Sequence, residues 1–166
     1  MEVSYMKGLM DKPEEFTTLA SFYLYKKNPA MSAKVLEKAI TNEDIDFDNT
    51  NAKLLADSWL FAKERLKSLN VIGRSLNNDP EDAKLIKQYI NIAFSAFEWD
   101  EVIRGIKKAD EAGLKDDGKF ALMKGIAYFE KKSITNAKNS FIEASNSKEY
   151  KDQGIAWLEY LEALNG

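Results

Sequence analysis

The sequence predicts an all-α fold, an α-solenoid of about four helix-turn-helix repeats with a C-terminal capping helix. Three observations predict it. Apolar and small residues recur with a period close to 34. In the best-formed unit, Gly118 to Lys151, Gly125, Tyr128, Ala137, Phe141 and Ala144 stand at relative positions 8, 11, 20, 24 and 27. The position-24 equivalents Leu36, Ile72, Ile106 and Phe141 are bulky, at separations of 36, 34 and 35, and a small residue follows three places later each time: Ala39, Ser75, Ala109 and Ala144. The position-11 equivalents are Tyr23, Trp59, Ala93 and Tyr128. A pair of helices is too small to bury its own apolar face, so a small residue that lets the partner helix approach and a large one that plugs the gap must be repeated together.

The elements follow in order. Residues 1–12 read as the end of a preceding repeat or helix: Tyr5, Met6, Leu9 and Met10 run into Asp11 and Pro13. The first unit, 13–46, opens at Pro13 with Glu14 and Glu15 complementing the helix dipole, breaks at Lys27, Asn28 and Pro29, and resumes through Ala33, Leu36 and Ala39. The second, 49–82, sets Leu55, Ala56 and Trp59 against Leu69, Ile72 and Leu76. Its turn is the least regular. Ala62, Lys63, Glu64 and Arg65 include neither Gly nor Pro, so local propensity would propagate a helix that the period interrupts. The third unit, 83–116, places Ile86, Tyr89, Ile90 and Ala93 against Phe97, Trp99, Val102 and Ile106, with Gly113 as a helix C-cap. The fourth unit is 118–151. In the capping helix, 152–166, Ile155, Leu158, Leu161 and Leu164 form one stripe, with Glu159 and Glu162 on the other side.

Composition narrows the function. The chain has 166 residues, 45% hydrophobic and 31% charged, with three prolines, which suits one compact domain or a short solenoid. Its net charge of −3, with Lys and Glu interspersed instead of clustered, argues against a nucleic-acid partner. Cysteine and histidine are both absent, removing the commonest general base, transition-metal ligand and soft nucleophile. No enzyme activity, cofactor or metal is therefore expected. Asp44, Asp46 and Asp48 alternate like a calcium loop, but the glycine and distal glutamate of such a loop are missing, so a solvated acidic loop is the better reading. No segment approaches the roughly 18 apolar residues of a membrane span.

From Pro13 to Lys151 these residues resemble the tetratricopeptide family. Longer strings, Ala33 to Ile40, Leu54 to Trp59, Lys124 to Phe129 and above all Ala156 to Glu162, resemble the C-terminal half of the tetratricopeptide proteins that accompany TonB systems in proteobacteria. That resemblance implies a periplasmic accessory of a TonB-type energy-transduction and iron-uptake complex, with TonB, ExbB and ExbD as partners. A cytoplasmic location is the alternative. The chain reads as a trimmed C-terminal piece, so the lack of a signal segment carries no information about the parent protein. Departures from the family are Ala121 and Lys124 where large apolar residues are usual, Ser32 and Ser68 where Ala is common, and Ile90 at a position for a small residue.

The resemblance also implies where a partner binds. First helices line a concave face, and the positions pointing into it give Tyr25, Lys53, Phe61, Lys84, Lys87, Asn91, Phe94, Lys119, Leu122, Ile126 and Phe129. A basic rim over an aromatic floor of Tyr25, Phe61, Phe94 and Phe129 suits a peptide with apolar anchors and some acidic residues. The competing possibility is that the aromatics pack between adjacent first helices and the lysines are merely solvated. Thr17, Ser21, Leu54 and Met123 occupy the positions where family members clamp a C-terminal carboxylate, so that binding mode is not expected. The sequence thus reads as a non-enzymatic protein-protein interaction scaffold. A regulatory or oligomerising appendage of a larger protein with an upstream catalytic or DNA-binding domain is the alternative, and self-association through the C-terminal stripe is open.

Overall fold

The computed structural model describes residues 2–116 and 118–164. Met1, Asp117, Asn165 and Gly166, which fall at borders of the segments above, lie outside the described residues. The chain divides into two compact units, Met1–Pro80 and Glu81–Gly166.

In the first unit, α1 (Glu2–Met6) precedes two helical hairpins, α2 (Pro13–Tyr25) with α3 (Pro29–Thr41) and α4 (Asn49–Phe61) with α5 (Arg65–Asn78). α3 packs on α4 as well as on α2. In the second unit, α6 (Ala83–Ser95) pairs with α7 (Trp99–Glu111) and α8 (Lys119–Glu130) with α9 (Ile134–Ser145), α7 packs on α8, and α10 (Lys151–Leu164) lies on α9. Among the described residues there is no strand.

The periodic residues are the core. Leu36, Ile72, Ile106 and Phe141 are at most 1% exposed, and Ala39, Ser75, Ala109 and Ala144 are equally buried. Each such Leu, Ile or Phe contributes about 1.5–3 kcal/mol of apolar transfer free energy. The buried hydroxyls at the Ala-type positions of the first unit are all satisfied: Ser68 Oγ donates to the Ala56 carbonyl at 2.8 Å, and Ser32 and Ser58 share a hydrogen bond at 2.9 Å.

One turn geometry joins the two helices of every hairpin. Lys27, Lys63, Phe97 and Lys132 all adopt left-handed backbone, with φ of 57°, 64°, 61° and 60°. The residue after each donates its N–H back to a position-11 carbonyl: Asn28 to Tyr23, Glu64 to Trp59, Glu98 to Ala93 and Ser133 to Tyr128, at 2.8–3.0 Å. This is the Schellman closure, which satisfies orphan carbonyls and reverses the chain within three residues. It also answers the ambiguity at 62–65. Lys63 breaks the helix there, because burial of both Trp59 and Ile72 against partner helices outweighs the roughly 1–2 kcal/mol that a left-handed non-glycine residue costs.

Packing departs from the sequence reading in three places. Phe97 does not close the third hairpin from within. As the left-handed turn residue it is 70% exposed and only edges against Trp99, at 5.6 Å between ring centroids. Ile90 is accommodated because the small residue has moved to the opposite helix: a Cβ on Gly105 would lie 2.7 Å from Ile90 Cγ1. In α10 the inward face is Gly154, Trp157, Leu158 and Leu161, while Ile155 and Leu164 are 38% and 56% exposed. Gly154 decides that rotation by letting the backbones touch, since its Cβ would lie 2.5 Å from the Ser145 amide nitrogen.

Candidate functional site

The residues expected on the partner-binding face fall into two groups. Tyr25 and Phe61 are the last residues of α2 and α4, 80% and 67% exposed, so in the first unit they stand at helix ends beside the turns. Lys53 is exposed on α4. In the second unit α6 carries Lys84, Lys87 and Asn91, all exposed, and half-buried Phe94; α8 carries Lys119, Leu122, Ile126 and Phe129, all half-buried.

The second unit brings part of its group together. Lys119 Nζ donates to Asn91 Oδ1 at 3.0 Å, which ties α8 to α6 across the face between them. Asp116 positions the start of α8: its carboxylate accepts from the Gly118 amide at 2.9 Å and the Phe120 amide at 2.5 Å, satisfying two orphan donors. Phe94 edges against Trp99, and its centroid lies 5.7 Å from the indole. Phe129 serves the core more than the groove. It is packed into an aromatic group with Trp157 and Tyr160, centroids 5.3 and 5.8 Å away, and Trp157 stacks on Phe141 at 5.0 Å and 9°. Leu122 and Ile126 likewise lean on the cluster built from Ala137, Phe141 and Leu161.

Within the α8/α9 hairpin, Lys124 reaches Glu143 at 3.1 Å, so the cation at an apolar position of the repeat is paired where it is partly buried. Between α6 and α7, Tyr89, only 7% exposed, donates its hydroxyl to Glu101, and Glu101 also pairs with Arg104 at 3.1 Å. Burial, then the hydrogen bond and charge of Glu101, push the Tyr89 phenol well above its ordinary value of 10.0, against the opposing pull of Arg104. This network closes a hairpin and lies apart from the face above.

Sequence reasoning missed the residues around the first-unit turns. Lys26 Nζ lies over the rings of Phe22 and Tyr25, 5.5 and 5.8 Å from their centroids, and Phe22 is 43% exposed. Lys27 and Lys63 hold the equivalent left-handed turn position in the two hairpins of this unit. Their shared turn position was available as a signal, since Lys27 and Lys63 are separated by the same 36 residues as Leu36 and Ile72. Among the described residues no group of three or more acidic side chains is placed to hold a metal ion, and no helix is long and apolar enough to cross a membrane.

Comparison with known proteins returns the same architecture. Solved structures of MamA, a tetratricopeptide-type all-helical protein, are similar to this chain. One is 19% identical with a TM-score of 0.61, covering 90% of this chain and 87% of that one. MamA AMB-1 is 14% identical at a TM-score of 0.65, covering 93% and 82%. A third is 18% identical at 0.61, covering 86% and 76%. The fold is an α-solenoid of tetratricopeptide-like repeats. At these identities the likeness establishes the fold alone. No protein-family model matches the chain, and no curated protein does.

Proposed function

We propose that this protein is a non-enzymatic protein-protein interaction scaffold, whose α6–α8 face receives a peptide or protein segment. The observation that carries this reading is the Lys119–Asn91 hydrogen bond, which joins two predicted face residues from successive first helices. Around it, exposed Lys84 and Lys87 and half-buried Phe94, Leu122 and Ile126 combine cationic and apolar contacts. Acidic segments with apolar anchors complement such a surface. The tetratricopeptide-like fold supports the class of function, because stacked helical pairs leave long faces of this kind unpartnered.

The finer reading makes the partner a TonB, ExbB or ExbD protein and the compartment the periplasm. It rests on the sequence strings alone, and the similar structures lend it no support. One experiment addresses both levels. Immobilised wild type and the Phe94→Ala/Lys87→Glu variant are challenged with envelope extract and with cytosolic extract, and retained proteins are identified by mass spectrometry. A partner retained by wild type and lost from a variant that melts normally supports the face. Equal retention by both overturns it, and recovery from cytosolic extract alone removes the periplasmic assignment.

A further inference from the structure

Short blocks of like charge that alternate along the first unit are gathered by its fold at two ends. Successive helices joined by short connections run antiparallel, so the turns after α2 and α4 lie at one end of the hairpins and the loop after α3 at the other, about 20 Å away for 13-residue helices. The turn end carries Lys26, Lys27, Lys63, Arg65 and Lys67 against one acid, Glu64, all of them exposed. The loop end carries exposed Glu14, Glu43, Asp44, Asp46 and Asp48 against two cations, exposed Lys12 beside Pro13 and Arg74 held over the Phe47 ring at 4.2 Å, so its balance is acidic. Among the described residues Lys26, Lys27, Lys63, Glu43, Asp44, Asp46 and Asp48 form no ion pair.

Both ends also have shape. At the turn end Tyr25 and Phe61 project at 80% and 67% exposure, and Lys26 holds its ammonium over Tyr25, so aromatic surface and positive charge make one patch. At the loop end Glu14, Glu43, Asp44, Asp46 and Asp48, with Pro13, line a hollow of about 390 Å³. We infer that the turn end is a docking surface for the loop end of a second copy of this chain, with the Tyr25-Lys26-Lys27 tip entering the acidic hollow. Charge complementarity selects that occupant, because the matching surface is carried by the chain itself. The contact is heterologous: each copy offers one patch and receives the other, so assembly proceeds head to tail and depends on concentration and salt.

Sedimentation velocity over a concentration series tests this on the whole chain. At low ionic strength the wild type forms a ladder of species. In about 1 M salt, where the screening length falls to about 3 Å, its association constant drops at least roughly tenfold. Lys26→Glu/Lys27→Glu/Lys63→Glu, with both ends acidic, and Glu43→Lys/Asp44→Lys/Asp46→Lys, with both ends basic, are each monomeric alone and associate when mixed. All six positions are exposed, and circular dichroism verifies the fold. Tyr25→Ala/Phe61→Ala, which keeps every charge, weakens association without abolishing its salt dependence. A wild type that stays monomeric at low salt overturns the inference. So does association that persists in either charge-reversed variant, or a mixture that stays monomeric. Loss of partner capture through Phe94 and Lys87 would leave these results unchanged, so the two surfaces fail separately.

Discussion

Gly125 and Phe141 should be energetically coupled, because each makes room for the other. A Cβ on Gly125 would stand 2.5 Å from Phe141 Cδ1 and overlap Cε1, while Phe141 is fully buried and sandwiched against Trp157. Alone, Gly125→Ala forces an overpacked contact worth about 1–3 kcal/mol, offset by about 1 kcal/mol of helix propensity, so a net loss of up to about 2 kcal/mol is expected. Phe141→Ala removes a ring with no exposed surface and should cost about 3–5 kcal/mol. In that background the added methyl enters emptied space, and Gly125→Ala should turn stabilising by about 0.5–1 kcal/mol. The propensity gain cancels in the cycle, so the coupling equals the overpacking cost of about 1–3 kcal/mol, above the few tenths seen between independent sites. Urea denaturation of the four proteins, followed by circular dichroism, measures it. Additivity within about 0.5 kcal/mol would refute the claim that position 8 is small because position 24 is large.

Three further outcomes are expected. Lys63→Gly should raise stability by about 0.5–1 kcal/mol, since it relieves left-handed backbone and adds only unfolded-state entropy; a lower urea midpoint would deny that Lys63 holds that conformation. Gly154→Ala should cost about 1–3 kcal/mol or more, because the added Cβ would meet the Ser145 amide and the Phe141 carbonyl at 2.5 and 2.9 Å, and backbone cannot step aside; unchanged protection of α10 amides from hydrogen exchange would count against it. The Tyr89 phenol is raised in the folded protein, so its contribution is fully present below the unfolded tyrosine value of 10.0 and is lost as pH climbs through the higher folded value. Stability should therefore fall in that alkaline window, and Tyr89→Phe should flatten the fall; identical profiles would place the alkaline sensitivity elsewhere.

The repeat was readable because one interhelical contact, a large residue against a small one, must be remade each time the chain doubles back. Its period therefore survives even where residue types vary, as from Ala39 to Ser75 or from Tyr23 to Ala93. The departures show how far that logic reaches. Ile90 looked like a misfit because a linear reading compares equivalent positions, whereas packing balances volume across the pair, and Gly105 supplies the space from the other helix. Phe97 was read with Trp99, Val102 and Ile106 as closing the third hairpin, but the turn assigns it the left-handed position and turns its ring outward.

The face residues divide along the same line. Repeat positions named Lys119, Asn91 and Phe94 for one face, and the structure places a hydrogen bond between Lys119 on α8 and Asn91 on α6. Phe129 was assigned to the groove because the sequence could not reveal that Trp157 and Tyr160, some thirty residues later, would close over it. By itself the sequence determined that helices pair and at which period large and small residues recur, since these depend on contacts a fixed distance apart along the chain. Only the tertiary structure decided how α10 is rotated, which aromatics remain exposed, and that Lys26, Lys27 and Lys63 end up at the opposite end of the first unit's hairpins from Glu43, Asp44, Asp46 and Asp48. Those outcomes depend on which ends of antiparallel helices coincide in space, a relation that no linear spacing records.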